Sequence, residues 1–484
     1  MLRSRRGLIN LGLAADSPGA AILLGVLKNA SWLSASQLAV ALLSFGTTTY
    51  LARVLAPPSF GAWQVAAALG AFLAVLAGIG LSPYGVWRVA RDPSAAKGIA
   101  RSFIGLRSGL CAIFFVLWLV VTALVPVSNE GRVLLVGAVA GYMLRSLWPD
   151  WVYQGLGRGV GLAIATATHP LVWLILLALF VAGPTDLALV PATFFLTAAC
   201  FGAAFWFYVW RTVPASADLH EGRMAILRAA APLGIATVMV QLLVNMDYVL
   251  VGVLASRFET AQYAAAYRVM LLVQGFGVAF HAAVLPTLTN QLSREGQAST
   301  LLRSLLTILF ATVLPVSIVI GALAPELVLT IYGQAYAAAG PVLSVLAWQI
   351  PIEVVGTLYA NMLIAQGRHR RYAAILGLGA ALKFLLILAL APAFGALGVA
   401  FASVIALSVV VVSALMQARL AISIDPRAVV AIGSGMALLL VFLRLSGGAP
   451  MPLQIILGAI AYVGGCAASV ALLALRVWPR GSTP

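Results

Sequence analysis

The chain has 484 residues, of which 63% are hydrophobic and only 9% charged, against roughly 25% charged in soluble domains. A chain this greasy excludes a water-soluble fold and makes the bilayer its solvent. The formal net charge of +16 would point to nucleic acid in a soluble protein. Here the basic residues sit between apolar stretches, so they report topology, and no nucleic-acid partner is expected.

Residues 1–28 are basic. The run SRRGLIN at 4–10 faintly resembles a twin-arginine signal, but no long apolar region follows it before Asp16. These residues read as an uncleaved cytoplasmic flank. The apolar runs that follow are continuous rather than alternating, which predicts helices and not a barrel. About fourteen spans are predicted, near 29–52, 60–86, 104–126, 132–154, 160–183, 187–210, 230–254, 261–290, 304–323, 341–366, 372–391, 394–418, 427–445 and 452–476. Each has roughly the 20 apolar residues that a bilayer requires. The positive-inside rule tests this count. Of the 29 basic residues, 22 fall in one set of loops and termini, Arg107 among them, and four (Arg53, Arg132, Arg257, Arg444) in the other. Arg145, Arg268 and Lys383 lie inside spans. A miscounted helix would scramble the bias beyond the error, so both termini are expected in the cytoplasm of a bacterial inner membrane. Cys111, Cys200 and Cys466 lie far apart in apolar stretches, without metal spacing, and are expected to be buried structural thiols.

A repeat is visible. YLARVLAPPSFGAW at 50–63 is echoed by YVLVGVLASRFETAQY at 248–263, and QGLGR at 154–158 by QGR at 366–368. The fold class is therefore an all-α polytopic membrane protein, two six-helix lobes in parallel pseudo-twofold repeat with a C-terminal helix pair. Its parts are a flank at 1–28, an N-lobe at 29–211, a linker at 212–228, a C-lobe at 229–419, and helices 13 and 14 with a tail at 420–484.

Three passages carry a family resemblance: YLARVLAPPSFGAW, DYVLVGVLASRFETAQYAAAYRV (Asp247–Val269) and PAFGALGVAFAS (Pro392–Ser403). With Gln154-Gly155 they resemble the polysaccharide (Wzx-type) flippases of the multidrug/oligosaccharidyl-lipid/polysaccharide (MOP) exporter superfamily. Ala-Pro-Pro at 56–58 departs from the family's usual Gly-Pro turn. The resemblance implies a V-shaped pair of lobes around a cavity. It also implies a lipid-linked glycan substrate, undecaprenyl-pyrophosphate-linked, carried between leaflets.

Charges inside spans are costly and mark function by default. Asp247 and Arg268 lie at matched depths about the turn near Phe258, and Glu353 and Lys383 at matched depths about Gly367 and Arg371. Two ion pairs are expected, Asp247–Arg268 and Glu353–Lys383. In one reading they only neutralise each other and fix helix register. In the other, Asp247 or Glu353 exchanges a proton or sodium ion, the sole cofactor expected, while the cations engage pyrophosphate. Arg145 has no acid at its depth in its own hairpin and is the expected phosphate ligand, Asp150 lying near the cytoplasmic end. The bland alternative is a carbonyl cap or a distant partner. Span 1 carries Ser31, Ser34, Gln37, Ala41, Ser44 and Thr48 on one face, to line a wet cavity or to pack closely. Gln274 and His281 share a face, as do Gln349 with Glu353 and Gln241 with Asn245. Asp247 points about 120° from that last face.

The favoured function is alternating-access transport of a lipid-linked oligosaccharide for O-antigen or exopolysaccharide assembly, by a monomer, with membrane lipids and polymerase machinery as partners. The alternatives are a cation-coupled multidrug exporter and a lipid II flippase. An enzyme is not expected: the loops opposite the basic set are short, with Glu130, Asp186, Glu259 and Glu326 as their acids, and no HExxH, GxSxG or phosphate-loop motif occurs. A purely structural protein would not need charges at several depths.

Overall fold

The computed structural model describes residues 38–214, 222–273, 297–365, 368–418, 426–446 and 448–477, and among them every regular element is helical. The elements are α1 (Leu38–Val54), α2 (Pro57–Gly78), α3 (Leu81–Arg91), α4 (Ala96–Leu124), α5 (Asn129–Ser146), α6 (Asp150–Gly155), α7 (Gly159–Phe180), α8 (Leu189–Thr212) and α9 (Arg223–Leu254). Then come α10 (257–273), α11 (Gln297–Ala322), α12 (Ala324–Tyr332), α13 (Ala339–Leu346), α14 (Gln349–Ala365), α15 (His369–Ala418), α16 (Pro426–Leu445) and α17 (Met451–Val477). Eight of the described helices are long and apolar enough to cross a bilayer. That number counts the 50 residues of α15 once, and a further crossing is made if the bent pair Phe310–Ala322 and Ala324–Tyr332, meeting at 68°, is one span. The count of fourteen stays an expectation, because parts of predicted spans 1 and 8 lie outside the described residues.

The outer faces are greasier than a soluble protein tolerates. On α4, Ile113, Val116, Leu117, Val120, Val121 and Leu124 are all exposed. Their spacing of three and four marks one stripe, and lipid is the solvent that lets it stay uncovered.

Two compact units divide the described chain. The first contains residues up to Leu55 and Ala62–Met246, the second Ala56–Gly61 and everything from Asp247 on. The sequence placed the linker at 212–228; this division falls inside α9.

In the first unit, predicted span 2 breaks at Ile79 and Gly80, whose φ values of 38° and 72° are left-handed. A Cβ on Gly80 would stand 2.3 Å from the Gly234 backbone nitrogen, so the turn needs glycine to let α9 approach. Predicted span 4 also breaks, into α5 and the six-residue α6, with Pro149 between them. Around the break Trp148, Trp151 and Val152 are buried with Phe103 and Phe205, and the Trp148 indole N–H donates to Ala198 O at 2.8 Å.

In the second unit, the turn at Ala56–Gly61 meets the turn before α10. A Cβ on Gly61 would stand 1.8 Å from the Arg257 carbonyl oxygen, so two repeat-related turns are in backbone contact. The 50 residues of α15 are two antiparallel limbs. They reverse at Gly395, where φ is 56° and Glu259 accepts from the Ala396 N–H at 2.8 Å. Gly379 then lies so close to Val410 that a Cβ would stand 2.1 Å from its methyl. Helices α16 and α17 pack through small residues. Gly435 abuts the Tyr462 carbonyl and Cys466, Ser434 bonds Ser469, and the Tyr462 hydroxyl donates to Ala311 O on α11 at 2.7 Å.

Candidate functional site

In the second unit the sequence of α9 brings one acid into an apolar span, and three elements converge on it. Asp247 is 2% exposed. Its Oδ2 accepts from Lys383 Nζ at 2.8 Å, from the Tyr263 hydroxyl at 2.5 Å and from the Ser403 hydroxyl at 3.3 Å. Lys383 and Ser403 come from the two limbs of α15, so the Gly395 turn is what delivers both to one oxygen. The other oxygen, Oδ1, is buried with no hydrogen-bond partner, although a carboxylate offers about four acceptor positions. A tyrosine floor closes the site: Tyr263 and Tyr267 stack at 5.7 Å and Tyr248 meets both edge-on.

The expected pairing is corrected here. Asp247 is bonded to Lys383 and not to Arg268. Matched depth fixes height along a helix but not the side from which a residue projects. Tyr263 faces Asp247, and Arg268, five residues further on, projects about 140° away on α10. The buried Nε of Arg268 has no hydrogen-bond partner. The charges of Asp247, Glu353 and Arg268 nevertheless all act on the Tyr267 hydroxyl, so the intramembrane charges of this unit gather in one region.

In the first unit, Arg145 is corrected too. It pairs with Asp150 at 3.4 Å, and its guanidinium carbon stands 3.9 Å over the Trp148 ring, a cation–π contact. The reason is the break at Pro149: Arg145 sits in the last turn of α5 instead of at the middle of a continuous span. Arg107, assigned from sequence to a cytoplasmic loop, lies inside α4. It donates to the Ser82 hydroxyl at 2.8 Å, its Nε is buried without a partner, and the charges of Asp150 and Arg145 reach it. Arg145 takes Asp150 as its ion-pair partner while Arg107 bonds a neutral hydroxyl, so a positive charge is left over.

Gln37, Gln274 and His281, with Ser31 and Ser34, lie outside the described residues. Thr48 of the span 1 face is buried and donates back to Ser44 O at 2.8 Å. Cys111 is buried as expected, but Cys200 lies on the exposed side of α8. Reasoning from sequence missed Tyr263, Ser403 and Arg107. Tyr263 and Ser403 did carry a signal, since both lie within the passages that bear the family resemblance.

A helical fold with many long apolar helices and charges buried in each unit defines a multi-pass membrane protein. A family model described as polysaccharide biosynthesis protein matches residues 26–292, more than half of the chain, and the chain belongs to that family. Among curated proteins none matches the sequence. Among solved structures it is similar to the lipid II flippase MurJ in an inward closed conformation. That match has TM-score 0.77 and 14% identity, over 92% of this chain and 99% of that one. It is also similar to an inward-facing multidrug resistance MATE transporter of the MOP superfamily (TM-score 0.60, 16% identity, 80% and 97% covered). A MOP superfamily transporter from Pyrococcus furiosus, described as having a binding pocket of reverse polarity, matches with TM-score 0.56 and 18% identity, 81% and 95% covered. At these identities the likeness is one of fold, and the fold is the one the sequence predicted.

Proposed function

We propose that this protein flips undecaprenyl-pyrophosphate-linked oligosaccharides across the bacterial inner membrane, both termini cytoplasmic, by alternating access. The observation that carries the reading is the surplus cation of the first unit, where Arg145 pairs with Asp150 and the buried Arg107 has only the Ser82 hydroxyl. A pyrophosphate brings at least two negative charges, and a guanidinium fork grips phosphate oxygens in pairs. The protein's work is carriage and not bond chemistry. It acts as a monomer beside the polymerase machinery.

The coupling ion is a proton or sodium, exchanged at Asp247, whose Oδ1 is buried without a hydrogen-bond partner.

A second reading, transport of lipid II, is favoured by the fold match to the lipid II flippase. Deleting the gene and analysing lipid-linked glycans separates the two. Loss of a surface glycan, with its lipid-linked unit held on the cytoplasmic leaflet, supports the first reading. Accumulated lipid II with an intact surface glycan supports the second. Both intact, with greater sensitivity to cationic drugs, would overturn both in favour of an exporter.

A further inference from the structure

A groove of about 360 Å³ runs along the first unit between α4 and α8, floored by the end of α5. Its depth comes from Ala199, Gly202 and Ala203 on α8. A Cβ on Gly202 would stand 2.9 Å from the Trp148 indole nitrogen, so the groove cannot be shallower without moving its floor. Its walls are almost entirely carbon. The Trp148 N–H is spent on Ala198 O at 2.8 Å and the Trp206 N–H on Leu147 O at 3.0 Å, and both tryptophans offer ring surface to the space.

One end is different. Trp210 lines it, with Lys97 Nζ 5.7 Å and the Arg101 guanidinium 5.9 Å from its ring. Lys97 also donates to Trp210 O at 2.9 Å. Lys97, Arg101 and Ile104, a lining residue, are spaced four and three apart and share one face of α4. From Trp210 to Ala199 is eleven residues, about 16 Å along the helix. That is close to half of the roughly 30 Å hydrocarbon thickness, the depth of a single leaflet. A long apolar trough of leaflet depth, capped at one end by an indole and two cations, has the shape and charge of one bilayer lipid with an anionic headgroup.

We propose that this groove binds an anionic phospholipid of the bilayer, its acyl chain along Trp206, Gly202 and Ala199 and its phosphate at Lys97 and Arg101. The occupant is a resident lipid and not the transported one, because the trough is one leaflet deep while a polyprenyl chain of eleven units is several times longer.

Native mass spectrometry of the purified, delipidated full chain tests this with phosphatidylglycerol and phosphatidylcholine of identical acyl chains. The wild type is expected to retain phosphatidylglycerol in preference. Lys97→Gln and Arg101→Gln should each reduce that preference about fivefold, and Arg101→Lys should keep it. Ala203→Trp, at an exposed position, should lower retention of both lipids alike without lowering the thermal unfolding midpoint. No preference in the wild type, or no change in the glutamine variants, overturns the proposal. Displacement of phosphatidylglycerol by an equal concentration of undecaprenyl phosphate also overturns it and gives the groove to the substrate tail.

Discussion

The two units treat buried charge differently. In the second, Asp247 holds Lys383 at 2.8 Å with Tyr263 and Ser403 on the same oxygen, so acid and base cancel inside the protein. In the first, Asp150 pairs with the partly exposed Arg145 and Arg107 has only a neutral hydroxyl, so the cancellation is incomplete. The lesson is a division of labour. An internally satisfied pair has little to offer a ligand but much to lose if either partner changes, while an unsatisfied cation is a poor strut and a good handle for an anion.

The largest effect should come from breaking the satisfied pair. Asp247→Leu leaves the Lys383 ammonium buried without its carboxylate and should cost about 3–5 kcal/mol, read as a large fall in the unfolding midpoint in detergent. The double variant Asp247→Leu/Lys383→Met should recover most of it. A double variant no better than the single would remove the pair from the account of this unit.

Next come the handles. Arg107→Gln and Arg145→Gln should each slow flipping of a pyrophosphate-linked lipid in proteoliposomes by roughly tenfold or more, the worth of one charged hydrogen bond. The Arg145 side chain is 31% exposed, so its ion pair contributes little to stability and the Arg145→Gln variant should unfold as the wild type does. Were Arg268→Gln to slow transport more than both, the anion would belong to the second unit and the comparison would be reversed.

The smallest effect isolates an exposed loop from both clusters. Asp92 accepts from the Ser94 hydroxyl and from the Ser94 and Ala95 N–H groups, and these donors, the Ser94 hydroxyl first, hold its carboxyl below the ordinary 3.8. Its contribution to ordering the start of α4 is complete above 3.8 and is lost as pH falls through the lower folded value. Faster amide exchange at Ser94 and Ala95 on acidification, absent in Asp92→Asn, would show it.

Much of this was legible in the sequence. Long unbroken apolar runs announced helices, and charges inside them announced where function lies. The breaks at Gly80 and Pro149 were not legible, because apolarity runs on through Ile79 and Trp148 while the backbone turns. Depth could be counted from the turns, but partners could not. Tyr263 and Arg268 differ by half a helical turn in the side they face, and nothing local ties residue 247 to residue 383. The pairing is a product of the Gly395 reversal.

That reversal also orders events during synthesis. Asp247 enters the membrane long before its cation exists, since Lys383 follows by 136 residues and Ser403 by 156. A lone acid at mid-bilayer raises the cost of inserting its helix by about 3 kcal/mol. Among its described hydrogen-bond partners, Tyr263, only 16 residues later, is the first made and can share that burden. The span opened by α9 is therefore a debt carried by the nascent chain until the α15 hairpin folds in, and the second unit cannot mature before that point.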